Sequence, residues 1–156
     1  MTRLYGRAPP GERVVGSVPQ NYGQNATVLA ALGEQGLHAM MTVEGVTDAD
    51  VFRAYVKHVL GPTLAPGDII MLDNLRAHKA VAIQQMLARR RVRLLYFPYS
   101  PDLSPIEPCW SKVKTGLRRP QARICEALDT ALRQALATVT AVDAYNWFRH
   151  CGYVLH

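Results

Sequence analysis

The sequence lacks the features of a membrane or secreted protein. Its 156 residues contain no apolar run long enough to span a bilayer, and the amino terminus lacks the basic-then-apolar layout of a signal peptide. The three cysteines lie far apart and form no CxxC pair. This spacing argues against a disulfide framework and a zinc site, and it favours a reducing cytoplasm with no membrane partner.

Charge is also scarce, and negative charge is scarcer than positive. Charged residues make up 19% of the chain and hydrophobic residues 49%, which is the composition of a globular protein. The length predicts one domain with a substantial core. Eighteen Lys and Arg residues against 12 Asp and Glu residues give a net charge of +6. This excess gives mild support to a polyanionic partner, although many basic proteins bind no nucleic acid.

The first half of the chain predicts a hairpin and then a helix. Apolar runs at 26–32 and 37–43 flank the glycine-bounded segment 33–36, which is typical of a β-hairpin with a four-residue loop. After Thr47-Asp48, apolar residues recur at helical spacing up to Gly61-Pro62, where the helix should end.

The segment "IIMLDNLRAHK" at 69–79 opens a second unit. Its apolar start, 69–72, is too short and uniform for an amphipathic helix and predicts a strand buried on both faces. A helix over 79–90 and a strand over 92–97 should follow, and this order indicates a right-handed parallel unit. Together with the hairpin it predicts a mixed α/β sheet. A long helix with Ala and Leu residues along its apolar face (124–139) and a short aromatic helix (145–149) should complete the chain.

Asp73 stands directly after the strand expected to be the most buried. A charge held at such a place needs a partner, which could be a proton, a base or a metal. Asn74 and His78 are close enough in sequence to orient this acid or a water molecule. For His78 the alternative is a helix cap, a commoner role for a histidine at a helix entry.

A second acid is expected at the same edge of the sheet. Ligands gather at the carboxyl ends of parallel strands, where Asp73 lies. After the strand ending at Phe97, Ser104-Pro105 forms a good helix start, so that Glu107 falls in the first turn. The alternative is that Ser104 and Glu107 form a capping box, in which the glutamate only bonds back to the helix end.

The helix that follows has two faces. At about 100° per residue, one apolar face should pack on the core, and a second stripe lies roughly a quarter-turn away and carries Glu107, Lys114 and Arg118. An acid at the head of a basic track suits phosphodiester chemistry, with the acid for a metal and the cations for phosphates. A solvated helix face is the alternative, although like charges four residues apart slightly destabilise a helix. The apolar face holds Ile106, Trp110, Val113 and Leu117, and the candidate DNA-binding residues are Lys112, Lys114, Arg118 and Arg119.

These motifs resemble a known family. "LDNLRAHK" followed by "PYSPDLSPIEPCWSKVK", with the closing "WFRHCGY", resembles the DDE superfamily endonuclease domain of mariner-like transposases, in the bacterial insertion-sequence branch. The similarity covers nearly the whole chain. It implies a ribonuclease-H-like mixed sheet flanked by helices and a two-metal site that normally holds magnesium, with manganese as a substitute. By motif position, Asp73 matches the second catalytic acid and Glu107 the third, and Asn74 and His78 stand beside them.

The resemblance also implies partners and a location. The partners would be double-stranded DNA, at transposon ends and target, and a second copy of the chain or a full-length transposase in a dimer. The protein would act in the bacterial cytoplasm, associated with the nucleoid.

One departure from the family is serious. The family's first catalytic Asp lies on a central first strand, shortly before the segment that matches Leu4 to Pro9, whereas the first acid here is Glu12. Residues 1–156 are therefore predicted to be an amino-terminally truncated catalytic domain without the family's helix-turn-helix domain. Without the central strand, the strands at 26–32 and 69–72 would each expose an unpaired edge.

Three hypotheses follow. The chain is an endonuclease domain, an enzyme by family but inactive alone, whose missing strand lies upstream or on a second product. Alternatively, it is a non-catalytic DNA-binding remnant that inhibits full-length transposase by mixed assembly. Outside the family, a metal-dependent nuclease or phosphatase could use Asp73 and Glu107 alone.

Overall fold

The computed structural model describes residues 7–15, 26–97, 101–118 and 125–154. Helices and strands alternate along this part of the chain, and single helical turns join several of them. The elements are β1 (Ala26–Gly33), β2 (Gly36–Glu44), α1 (Ala49–Tyr55), β3 (Ile69–Leu72), α2 (Val81–Arg89), β4 (Arg93–Tyr96), α3 (Ile106–Arg118), α4 (Cys125–Ala137) and α5 (Ala141–His150).

The predicted hairpin is confirmed, with a tighter loop. β1 and β2 pair antiparallel, and Gly33 pairs with Gly36, so that only the two residues between them form the loop, not four. Gly36 has a φ of +106°, a conformation that glycine adopts without strain. The register shifts between Leu29 and Ala31, opposite Ala39 of β2, which has a φ of +49°. This combination is a β-bulge, which bends and twists the hairpin locally.

The predicted first helix is confirmed, including its start. Asp48 is the N-cap, and its side chain accepts hydrogen bonds from the amides of Asp50 and Val51. Beyond Tyr55 the helix continues as a π-helical turn, Val56–Leu60, and a 3-10 turn, Gly61–Thr63. The helical segment therefore ends at the predicted Gly-Pro pair, within a few residues.

The predicted parallel unit is confirmed as well. β3 and β4 pair in parallel, from Ile69 opposite Arg93 to Leu72 opposite Tyr96. A 3-10 turn, Arg76–Lys79, precedes α2, so the helix begins slightly later than the pattern predicts. Ile83 and Leu87 on its inner face are fully buried.

The prediction that β3 is the most buried strand is wrong. Ile69 is 51% exposed, and the other three residues of β3 are half-buried. The described strands form two separate two-stranded sheets, β1–β2 and β3–β4, rather than one continuous mixed sheet. Within the described residues, no strand pairs with the second edge of β1 or of β3.

The helices bury two apolar clusters. One lies around Phe52 and Tyr55 of α1 and Ile83 and Leu87 of α2, and the other lies between α3 and α4. The second holds Val113, Leu132, Ala135 and Leu136, and Trp110, predicted to be core, is half-buried at its rim. Among the residues described, no helix is long and apolar enough to cross a membrane.

Candidate functional site

Asp73 follows β3 directly and lies in a turn that holds its carboxylate. Its Oδ1 atom accepts a 3.1 Å hydrogen bond from the amide of Leu75, a side-chain turn that aspartate forms readily. The side chain is 57% exposed. The high cost of burying this charge, which the sequence predicted, is therefore not incurred. The Oδ2 atom has no hydrogen-bond partner among the described residues.

His78 contacts the same carboxylate. Its Nδ1 atom lies 2.5 Å from Asp73 Oδ1, although the approach is too far off axis for a well-aligned hydrogen bond. The ring packs against Phe52 with 4.2 Å between ring centroids, and its backbone carbonyl accepts a 3.1 Å hydrogen bond from the hydroxyl of Tyr96. His78 is thus fixed between the first apolar cluster and the acid, where it can orient Asp73.

Asn74 has a different set of contacts. Its side-chain amide donates a 2.8 Å hydrogen bond to the carbonyl of Phe97, just beyond the end of β4. The amide of Phe97 in turn donates to the carbonyl of Leu72, also at 2.8 Å. Asn74 therefore ties together the two segments that leave the parallel strands, and it supports the loop of Asp73 rather than the carboxylate itself.

Glu107 lies in the first turn of α3. The helix begins at Ile106, one residue later than the sequence indicated, and the Glu107 amide donates a 3.1 Å hydrogen bond to the carbonyl of Ser104. In this part of the chain no hydrogen bond joins the Ser104 hydroxyl to Glu107, so the capping box is not formed. The exposed carboxylate of Glu107 is available to a ligand.

One cleft brings these residues together. A cavity of about 1210 Å³ is lined by Asp73, Asn74, His78 and Glu107, among others. The two acids come from elements that are separated in sequence by α2 and β4. Both acidic residues therefore line the same cleft.

The donor set suits a hard cation that keeps much of its water. Magnesium takes oxygen ligands and commonly uses one or two carboxylates, with water and phosphate for the rest. Asp73 and Glu107 provide two such groups, and Asp73 has one unpaired oxygen. No group of three or more His, Cys, Asp or Glu residues close enough to hold a metal occurs in the described ranges.

Of the three candidate cations that the structure describes, Lys112 lies apart from Lys114 and Arg118. Lys114 is exposed and Arg118 half-buried on the stripe headed by Glu107. Lys112 lies about 140° around the helix from Glu107, and its Nζ atom donates a 2.6 Å hydrogen bond to Asp143 of α5. Its charge is already paired, so Lys112 connects helices and is not part of the basic track. Arg119 lies outside the described residues.

Sequence reasoning missed the residues that position His78, the residue in contact with Asp73. Phe52 supports the ring of His78, and Tyr96 holds its backbone while accepting a 3.2 Å hydrogen bond from Gln84. Each reads as an ordinary core or strand position. No local pattern could have identified them, because the contacts are made across the fold.

These features define a class: an α/β domain with Asp73 and Glu107 on one cleft and a basic stripe on the adjoining helix. The profile of the DDE superfamily endonuclease family matches residues 1–129. The chain therefore belongs to the DDE superfamily endonuclease family.

Individual relatives agree with this assignment. The Transposable element Tcb1 transposase of Caenorhabditis briggsae is 24% identical over 142 residues, which are 85% of this chain and 52% of the relative. Among solved structures, the Mos1 strand transfer complex superposes with a TM-score of 0.73 at 18% identity, covering 96% of this chain and 46% of the Mos1 chain. A pre-cleavage Mos1 transpososome has a TM-score of 0.71 at 13% identity, covering 100% and 53%.

The likeness to the Mos1 structures shows a shared fold, which is the ribonuclease-H-like fold that the sequence motifs predicted. The chain spans about half the length of these relatives.

Proposed function

We propose that this chain is the catalytic domain of a DNA transposase, with Asp73 and Glu107 as its metal-binding acids. The observation that carries the proposal is that both carboxylates, one after β3 and one at the start of α3, line the same cleft. Membership of the DDE endonuclease family supports it.

Each residue at the cleft has a part in this scheme. Asp73 and Glu107 would hold magnesium, or manganese in its place; among the solved relatives is a Mos1 mariner paired-end complex with Mn. The metal would supply Lewis-acid activation of a water or hydroxyl and stabilisation of the leaving oxygen. The Leu75 amide donates to one oxygen of Asp73 and His78 lies beside that oxygen, so the other oxygen would be free to bind the metal. Asn74 keeps the loop closed on β4.

The partner would be double-stranded DNA. One solved Mos1 relative is a paired-end complex with the left transposon end. By analogy, the substrates of this chain would be transposon ends and target DNA, and its protein partner a second transposase chain. Lys114, Arg118 and Arg119 would contact phosphates, and Lys112 would not, because Asp143 already pairs it. The site of action would be the bacterial cytoplasm, at the nucleoid.

Metal binding tests the acid assignment directly. Mn²⁺ affinity would be measured by the electron paramagnetic resonance signal of the free ion. Asp73→Asn and Glu107→Gln should each weaken binding by about tenfold or more, because each removes one of few protein ligands. Asp102→Asn is the matched control, since Asp102 is exposed on the same β4–α3 connection but does not line the cleft. Equal effects of all three substitutions would contradict the assignment.

Cleavage tests the activity itself. Because only Asp73 and Glu107 are proposed as metal ligands, we expect the chain alone to nick a transposon-end duplex at most slowly. A version extended upstream through the family's first strand and its Asp should nick in a metal-dependent way, and its Asp73→Asn form should not. If the chain alone were as active as the extended version, its own carboxylates would complete the site.

A second candidate function is DNA binding without cleavage. It is favoured by the finding that, in the described ranges, no three His, Cys, Asp or Glu residues lie close enough together to hold a metal. Such a chain would reduce transposition when co-expressed with a full-length transposase. Unchanged transposition would exclude this role.

A further inference from the structure

Tyr153 lies just beyond α5 and contacts both ends of the β4–α3 connection. Its hydroxyl donates a 2.9 Å hydrogen bond to the carbonyl of Leu103, in the 3-10 turn that precedes α3. Its ring packs edge-on against the ring of Phe97, just beyond β4, with 6.4 Å between centroids. The side chain also lines the cleft that holds the two acids. Tyr153 therefore bridges the segment that leaves β4 and the segment that enters α3.

A helix-ending motif holds Tyr153 in this place. Gly152 follows α5 with a φ of +86°, and its amide donates a 3.0 Å hydrogen bond to the carbonyl of Arg149. The amide of Tyr153 donates a 2.9 Å hydrogen bond to the carbonyl of Phe148. These two bonds form a Schellman motif, in which an apolar contact such as that between the Phe148 and Tyr153 rings is common. The Gly-Tyr pair after α5 therefore turns the tyrosine ring back toward the helix.

The helix that carries Tyr153 is itself attached to its surroundings. Asp143 in the first turn of α5 accepts a 2.6 Å hydrogen bond from Lys112 of α3. At the other end, Cys151 is buried, and burial followed by the charge of Asp102 raises the pKa of its thiol. Asp102 belongs to the β4–α3 connection, so the end of α5 packs beside that connection. Tyr153 thus contacts the start of α3 from a fixed support.

These contacts complete a path between the two segments that carry the acids. Asn74 ties the Asp73 loop to the backbone just beyond β4 with a 2.8 Å hydrogen bond, and the ring of Tyr153 packs on the same place. The hydroxyl of Tyr153 then holds the carbonyl of Leu103, four residues before Glu107. Among the residues that the structure describes, no hydrogen bond joins the Asp73 loop directly to the start of α3. The path through Tyr153 therefore connects them.

A purely structural role for this side chain is the alternative. The packing of Tyr153 on Phe148 is a common feature of this type of helix end, and it needs only the ring. The hydroxyl contributes nothing to that packing, and its hydrogen bond goes to a carbonyl outside α5. The two roles therefore belong to different atoms of one side chain, and removal of the hydroxyl alone separates them.

We propose that Tyr153 is a positioning residue whose hydroxyl holds the start of α3 beside the Asp73 loop, so that both acids reach the same metal. Tyr153 acts through Glu107 and does not itself bind the metal. Without the hydrogen bond, the start of α3 takes other positions, and only a fraction of the molecules presents both carboxylates together. The apparent metal affinity falls by that fraction. This inference rests on the proposed function, because it takes Glu107 as a metal ligand.

The first test compares Mn²⁺ affinities of whole-chain variants, again by the signal of the free ion. Tyr153→Phe should weaken binding about threefold to tenfold, which corresponds to one net hydrogen bond. Tyr145→Phe is the matched control, since it makes the same change at an exposed position of α5 and should leave the affinity unchanged. If Glu107→Gln weakens binding but Tyr153→Phe does not, this inference is wrong and the acid assignment stands.

A double variant shows whether Tyr153 acts through Glu107. In the Glu107→Gln background, Tyr153→Phe should weaken Mn²⁺ binding no further, because the ligand that it positions is already lost. A purely structural role predicts the same loss in both backgrounds, and that result would contradict the proposal. If Glu107→Gln alone has no effect on Mn²⁺ affinity, the acid assignment is wrong and this inference fails with it.

Hydrogen exchange of the metal-free chain measures the restraint on α3 directly. The amide of Glu107 is hydrogen-bonded to the carbonyl of Ser104, at the helix start. Tyr153→Phe should speed its exchange about threefold or more, because opening of the helix start no longer breaks the bond from the hydroxyl. The amide of Val113, in the buried middle of α3, should exchange as before. An unchanged rate at Glu107 would show that the hydroxyl does not restrain the helix start, which would overturn the proposal.

Discussion

The Nζ atom of Lys112 on α3 lies 2.6 Å from Oδ2 of Asp143 on α5, and the same carboxylate closes the capping box of α5. Asp143 accepts hydrogen bonds from the amide and the hydroxyl of Thr140 as well. One acid therefore caps a helix and joins it to a neighbour. This contact gives Lys112 a structural role that its place in a basic helix did not suggest.

The first prediction concerns this pair and pH. The hydrogen bond from Lys112, followed by those from Thr140, lowers the pKa of Asp143 from 3.8 to about 2. Because the folded-state pKa is the lower one, the stabilisation is present above pH 4 and is lost as the pH falls from about 4 to about 2. The pair is partly exposed, so we expect Lys112→Met to lower the free energy of unfolding by only about 1 kcal/mol at pH 7.

Urea unfolding at several pH values measures this effect. Lys112→Met should also flatten the fall in stability between pH 4 and pH 2. Lys114→Met is the matched control, since Lys114 is exposed on the same helix. An equal loss in both variants would show that helix propensity, and not the pair, is responsible.

The second prediction concerns DNA affinity. Lys114→Glu combined with Arg118→Glu should lower affinity for all duplex sequences alike, because phosphate contacts carry no sequence information. The slope of log affinity against log salt should flatten by about one to two units. Lys57→Glu, an exposed substitution on the π-helical turn, should change neither quantity beyond the small effect of net charge. An unchanged slope in the double variant would show that the basic track faces something other than DNA.

The third prediction treats His78 as a positioning residue. His78→Ala should weaken Mn²⁺ binding about tenfold, since a residue that orients a metal ligand affects affinity without touching the metal. It should also lower stability, because the ring packs on Phe52. Mn²⁺ affinity is to be compared with that of Phe52→Leu, which loosens the same packing but leaves the histidine beside Asp73. A similar loss of metal affinity in both variants would assign the effect to packing alone.

The fourth prediction concerns the core beneath the site. Ile83 of α2 is fully buried in the first apolar cluster, so Ile83→Ala should cost about 2–5 kcal/mol of stability. Val81→Ala on the same helix should have little effect, because Val81 is 65% exposed. Thermal or urea unfolding of both variants measures the difference, and comparable losses would contradict the assigned orientation of α2.

Most of the elements could be predicted because their signals are local. Gly33 and Gly36 mark the ends of the hairpin loop, and Asp48 caps α1. The apolar run at 69–72 has the composition of a strand over its whole length. Glu107 falls in the first turn of α3 because the preceding Ser-Pro pair begins a helix there. Such signals act over a few residues, and the fold does not override them here.

Tertiary structure alone decided how these elements meet. The sequence by itself placed Asp73 after a strand, but only the tertiary structure left this acid exposed and, among the described residues, arranged the strands in two separate sheets. It also placed Lys112 in a basic helix, but only the tertiary structure pairs its charge with Asp143, 31 residues away. Periodicity and capping depend on neighbours in sequence, whereas strand edges and ion pairs depend on which distant segments pack together, and no local pattern encodes that.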